Sequence, residues 1–243
     1  MSRFLSKQQI ISTTAICCAA LLCSTGFTPT PNTLTFRFQN KVGPEDLQLM
    51  DHTYTDPFGE PMTIYKFKYY ISHIAVITED GKEQLLDDGC HLVDEADSLS
   101  KTITVPSPSQ PIKAITFLLG VDSLKNVSGA QAGDLDPLKG MYWTWNTGYV
   151  DAELEGRSDS SHANAHFISW HVGGFKPHQD AARHIKLEWT KSEGRTILID
   201  ADIKKWFNAR HPIRIAQSPV CHEPGPLAMA IADNYSLMFS IEQ

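Results

Sequence analysis

The sequence predicts an all-β protein, an antiparallel β-sandwich with long loops and one or two short helices. Two observations carry that prediction. Apolar side chains alternate with polar ones at a period of two in one segment after another, which puts alternate residues on one buried face. Clusters of Gly, Asp, Asn and Pro separate the segments at short intervals, the punctuation of a sandwich or barrel.

Leu34, Phe36 and Phe38 alternate with Thr35, Arg37 and Gln39 in the first strand. Tyr65, Phe67 and Tyr69 alternate with Lys66 and Lys68, and the run continues through Ile71 to Ile77. Glu79-Asp80-Gly81-Lys82 then places a glycine where a hairpin turn wants one. Further strands are expected at His91–Val93, Thr102–Val105, Ala114–Leu119, Met141–Glu153, Ala165–Val172, His184–Trp189, Thr196–Asp200 and Met238–Ile241. A strand over Met141–Glu153 would put Trp143 and Trp145 on one face. Asp202 is placed to cap a helix over Ile203–Asn208, its carboxylate accepting backbone N–H groups left over at the helix start. Pro226 suits the first turn of a helix running through Leu227–Asp233. The segment Asp122–Gly140 is rich in Gly, Asp, Ser and Pro and is expected to be a long functional loop.

The N-terminus points to export. Arg3 and Lys7 precede the apolar run IISTTAICCAALLC at residues 10–23, and the small residues Ser24-Thr25-Gly26 follow. That order is a signal peptide, assigned to residues 1–26. Its apolar run falls short of the ~20 residues that span a bilayer. Residues 27–33, containing TPTPN, form a linker, and 34–243 a single domain. No long apolar run follows the leader, so no membrane span is expected in the mature protein. Loss of Arg3 and Lys7 takes the 21 basic residues to 19 against 28 acids, a net charge of −9. That charge argues against nucleic acid or an anionic membrane surface as partner.

Three of the five cysteines leave with the leader, and Cys90 and Cys221 remain. An even pair in an exported chain reads as one disulfide. It would close a loop worth up to about 5 kcal/mol by chain entropy. Each of the two is followed by a histidine, His91 and His222. A bridge would bring the two segments together and place both imidazoles on the opposite face, within reach of one ion.

The sequence holds ten histidines. Imidazole is the natural ligand for copper or zinc where thiols are few. His162, His166 and His171 cluster, but on one regular strand His171 faces away from the other two unless a bulge intervenes. Gly173 and Gly174 after it permit close backbone approach or a sharp bend. Glu153 and Glu155 read as a solvated acidic face. No GxSxG, P-loop or GxGxxG segment is present, and no nucleophile stands with a base.

Five segments together resemble the MbnP-like family of exported bacterial proteins, most closely its Bacteroidetes-type members. They are FKYYIS at Phe67–Ser72, HLVDEAD at His91–Asp97, the long block Leu118–Gly156, HVGGF at His171–Phe175 and ADNYSLMF at Ala232–Phe239. The resemblance implies a β-rich protein of the periplasm or cell surface that binds one copper ion through histidines. It also implies a tryptophan oxidised to kynurenine by a partner, a dihaem enzyme of the MbnH type related to bacterial cytochrome c peroxidases. By motif, His91 and His171 match family positions best as ligands. His222 joins them on the cysteine argument, and His166 is a further candidate, with His52 or His73 open as completing ligands. Trp143 and Trp145 are the candidates for oxidation. Some relatives place the modified tryptophan two residues before a histidine; here Trp170 directly precedes His171. The competing expectation is a metal-free surface module that binds glycans or proteins through Trp143, Trp145 or Trp170.

Overall fold

A computed structural model describes residues 32–146, 148–190 and 195–241. The expected leader, and the linker up to residue 31, lie outside the described residues. The first strands are β1 (Thr33–Val42), β2 (Glu45–Asp46), β3 (Thr53–Thr55), β4 (Pro61–Thr78), β5 (Glu83–Asp94), β6 (Thr102–Pro106) and β7 (Ile112–Leu119). Helix α1 (Ser123–Val127) follows, then β8 (Tyr142–Trp143), β9 (Gly148–Arg157) and β10 (Phe167–Gly173). Next come β11 (Phe175–Lys176), β12 (Gln179–Asp180), β13 (Arg183–Glu188) and β14 (Thr196–Asp202). Helix α2 (Lys204–Phe207), β15 (Val220–Cys221), helix α3 (Pro226–Tyr235) and β16 (Phe239–Ile241) complete the chain.

The alternation in β1 reads directly into its environment, with Leu34, Phe36, Phe38 and Val42 buried. Across the parallel pair β1–β14, Phe36 and Phe38 stand opposite Ile197 and Ile199, aromatic against β-branched. The edge strand β16 closes one side of this sheet, and β6 and β2 pair the other edge of β1. The second sheet is built on β4. Along one edge β4 pairs first with β9 and then with β7; along the other it pairs with β3 and β5. β13 extends β7, while β10 and then β15 extend β9. Pairing is antiparallel except for β1–β14 and β10–β15.

The sheets meet through aromatic rings. Phe38 of the first packs edge-on against Tyr69 and Phe117 of the second, each at 6.1 Å between centroids. Phe239 packs on Phe117 at 5.1 Å. The fold is the expected all-β sandwich. The polar residue in this layer, Asn40, accepts from the Tyr69 hydroxyl at 2.9 Å and donates to Glu95 at 2.8 Å, so its burial leaves no amide group unpaired.

Three expectations are corrected. Met141–Glu153 is not one strand. It is a hairpin in which β8 folds onto β9, with Trp143 opposite Gly148. Trp143 is therefore buried while Trp145, in the turn, is 62% exposed. The loop Asp122–Gly140 holds a short helix, α1, capped by the Asp122 carboxylate, which accepts from the Lys125 amide at 2.9 Å. α-Helices thus number three among the described residues, beside single 3-10 turns at Gly133–Leu135, Pro137–Lys139 and Asn164–His166.

The third correction is the disulfide: Cys90 and Cys221 are free. Lys68 and Tyr69 pair with β5 and β9 at once, so those strands lie on opposite edges of β4. Cys221 sits two strands beyond β9, opposite Trp170. Four strand spacings of about 4.8 Å separate the cysteines along the sheet, far beyond the ~5.5 Å between the Cα atoms of a bridge. Among the described residues no helix is long and apolar enough to cross a membrane.

Candidate metal centre

Strand register brings the site together. Leu154 and Trp170 face the core and are fully buried, so Glu153, Glu155, Ser169 and His171 take the other face of the sheet. His171 stands opposite Glu153, and Ser169 opposite Glu155. On the neighbouring strand Lys66 stands opposite Glu155. β15 is tied to this surface from below. The Ser169 amide donates to Pro219 at 2.9 Å, and the Trp170 indole N–H donates to the Ser218 carbonyl at 2.8 Å. Cys221 points into the core, and the next residue, His222, emerges beside His171.

The two imidazole rings lie 4.7 Å apart, tilted by 41°. His171 Nε2 is 2.8 Å from Glu155 Oε1 and 3.2 Å from Glu153 Oε1. His222 Nε2 is 2.7 Å from Ser169 Oγ. Lys66 Nζ reaches Glu155 Oε2 at 2.8 Å. Burial alone would disfavour charge on His171, but the hydrogen bonds and charges of Glu153 and Glu155 outweigh it and raise its pKa. Burial and the neighbouring His171 hold His222 below the ordinary histidine range. Glu155 is opposed by burial yet driven down by Lys66 and His171.

The ligand atoms of Glu153, Glu155 and His171 lie within 4.8 Å of one another. This is the arrangement that sequence reading missed, because the two acids were read as a solvated face. Their alternation along β9 was legible; the histidine opposite them was not. Imidazole and carboxylate donors together suit copper or zinc, so the residues present fit a metal of that class.

The family model described as MbnP matches residues 31–223. The chain belongs to the MbnP family. The structure of MbnP from Methylosinus trichosporium is similar in fold, with a TM-score of 0.52 at 13% identity, over 72% of this chain and 77% of that one. No curated protein sequence matches this chain.

In this MbnP-family chain the other expected ligands lie elsewhere. His91, opposite Ile71 on β5, bonds Asp87 Oδ2 through Nε2 at 2.7 Å. With the cysteines unbridged, nothing draws it toward His222. His166 lies before β10 in a tight turn, where Ala165 and His166 have φ of 53° and 59°; its Nδ1 is 2.9 Å from the Ser161 carbonyl. That turn removes His162 and His166 from the strand that carries His171. His73 is held between Asp88 and Asp122, and His52 lies against Glu45 and the Tyr54 ring.

Gly173 and Gly174 do what their sequence position suggested. The β9–β10 register shifts between Val172 and Gly173, and a Cβ at Gly173 would collide with the Tyr149 carbonyl. Trp143 and Trp145 stack at 5.5 Å. Trp145 and His222 line one cavity of about 520 Å³, with Pro224 and Leu227. On its other side His222 lines a second cavity of about 350 Å³ with Tyr65, Phe167 and Val220.

Proposed function

We propose that this protein is exported and holds one copper ion through His171 and His222. The observation that carries the reading is the pairing of those two rings at 4.7 Å beside two carboxylates. Membership of the MbnP family supports copper as the metal. Copper, when bound, supplies one-electron redox chemistry. The residues of this chain do the positioning. Glu155 orients His171, Ser169 orients His222, and the pairing of β10 with β15 keeps the two rings adjacent.

Trp145 is assigned as the indole oxidised to kynurenine, with a dihaem peroxidase of the MbnH type as the partner that supplies the oxidising equivalents. Support for that choice is its exposure and the cavity it shares with His222. Trp143 lies behind it and is buried.

The test is a copper titration of purified mature protein. The parent and His91→Ala should each bind about one copper, while the double variant H171A/H222A should bind none tightly. Full copper binding by the double variant would sink the assignment. The exposure of Trp145 also favours a second reading, a glycan-binding surface. Retention on a glycan array in the presence of chelator, lost in Trp145→Ala, would select it over the metal.

A further inference from the structure

We infer that Asp56 and Glu60 form a buried carboxyl pair sharing one proton, and that this pair is a pH-sensitive latch holding the turn at residues 214–218 against the β3–β4 hairpin. The latch lies apart from the β9–β10–β15 face and does not depend on what that face binds.

The loop between β3 and β4 turns on Asp56. Its Oδ1 accepts from the amides of Phe58 and Glu60, each at 2.8 Å, and Gly59 takes the positive φ of 82° at the reversal. Glu60 reaches the other way. Its Oε2 accepts from the Ile215 amide at 2.7 Å, and its Oε1 from the Ala216 amide at 3.0 Å. Ile213 and Ile215 are buried in the core, so the amides beside them need a partner within the protein. Glu60 is that partner. Two residues on, the carbonyls of Ser218 and Pro219 accept from the Trp170 indole and the Ser169 amide, and β15 follows.

Asp56 and Glu60 are 4% and 8% exposed, and their carboxyl groups are in hydrogen-bond contact. Two carboxylates so placed repel one another, and one proton between them removes the conflict. The oxygens show where that proton sits. Three of the four already accept backbone N–H groups. The fourth, Asp56 Oδ2, is buried and accepts nothing; an O–H there would donate to Glu60. A divalent cation is a poorer occupant, because the amide hydrogens already bring positive charge to the other three oxygens. The charge that acts on Asp56 is that of Glu60. Arg214, the neighbouring cation, stacks over the Phe58 ring at 4.2 Å instead. Burial, and then Glu60, hold Asp56 above the usual carboxylate range despite its two amide donors. Because the folded pKa is raised, the stability this proton contributes is fully present below about pH 4 and lost as pH rises through the raised value. Above that value two charges meet, and Glu60 loses its hold on the turn.

The experiment follows amide hydrogen exchange and urea unfolding of mature protein from about pH 4 to about pH 9, comparing parent, Asp56→Asn and Glu60→Gln. Asparagine keeps the Oδ1 acceptor and replaces the shared proton with a permanent N–H donor. In the parent, protection of the Ile215 and Ala216 amides should fall by at least about ten-fold as pH passes the raised value, the equivalent of one pKa unit. In Asp56→Asn that protection should stay level, so its stability relative to the parent should rise with pH. Glu60→Gln should leave both amides poorly protected at every pH. A carbon-13 titration of the Asp56 carboxyl in the parent reads the proton directly and needs no variant to fold. A midpoint at or below the ordinary value of about 3.9 would overturn the inference. So would parent protection at Ile215 and Ala216 that does not vary with pH. Protection that rises on adding calcium would also overturn it, by placing a cation between the carboxyls.

Discussion

The Nε2 atoms of His171 and His222 converge on one hydroxyl, Ser169 Oγ, at 3.5 and 2.7 Å. Neighbouring imidazoles of this kind cannot both carry charge cheaply. The acids settle which one does, since Glu153 and Glu155 bond His171 directly while His222 bonds the Ser169 hydroxyl. In metal-free protein, NMR titration should show His171 losing its proton above the ordinary histidine pKa and His222 below it. Because the folded pKa of His171 is raised, its contribution to stability is fully present below about pH 6.5 and lost as pH rises through the raised value. Glu155→Gln should bring His171 down. Titration of the two rings in the opposite order would contradict the arrangement.

Trp145 and Trp143 stack, yet only one is accessible. Protein produced together with a dihaem peroxidase partner should show the mass shift of one tryptophan converted to kynurenine, oxygen gained and the indole C2 carbon lost. Tandem fragmentation of the peptide after Lys139 should put the change at Trp145, and Trp145→Phe should abolish it. A modification confined to Trp143 would show that oxidation does not follow exposure.

Free Cys90 and Cys221 make a simple prediction about thiols. Denatured, non-reduced mature protein should titrate with two thiols, and reductant should leave its melting temperature unchanged. Within the fold both sulfhydryls are poor nucleophiles, since burial pushes each pKa up to about 11. A melting temperature that falls on reduction would mean that a bridge contributes to stability.

Gly173 sits where β9 and β10 slip register, and a side chain there meets the Tyr149 carbonyl. Gly173→Ala should cost about 1–3 kcal/mol in urea unfolding, the range for overpacking a tight interior. Because the bulge lies two residues beyond His171, copper affinity should fall with it. A variant as stable as the parent would show that the backbone relaxes there without cost.

Much of the fold was legible along the chain. Leu34, Phe36 and Phe38 alternate because a strand turns successive side chains to opposite faces, and that period survives any tertiary arrangement. The Gly173-Gly174 pair announced a close approach for the same local reason, the absence of a Cβ. The site was only partly legible. His171 and His222 are both candidates in the sequence, but the disulfide argument pairs His222 with His91. The parallel pairing of β15 with β10 sets His222 beside His171 instead. Local pattern gives no account of which strand lies beside which.

That division accounts for each correction. The sequence by itself determined the β class, the faces of the longest strands and the residue types able to hold a metal. It also determined the MbnP resemblance, carried by contiguous motifs. The tertiary structure decided register and neighbourhood. It set Glu153 and Glu155 opposite His171 and Ser169, left Cys90 four strands from Cys221, and folded Met141–Glu153 back on itself so that Trp145 reached the surface. The physical reason is that alternation depends on adjacent residues alone, whereas strand order is settled by how the two buried faces pack together.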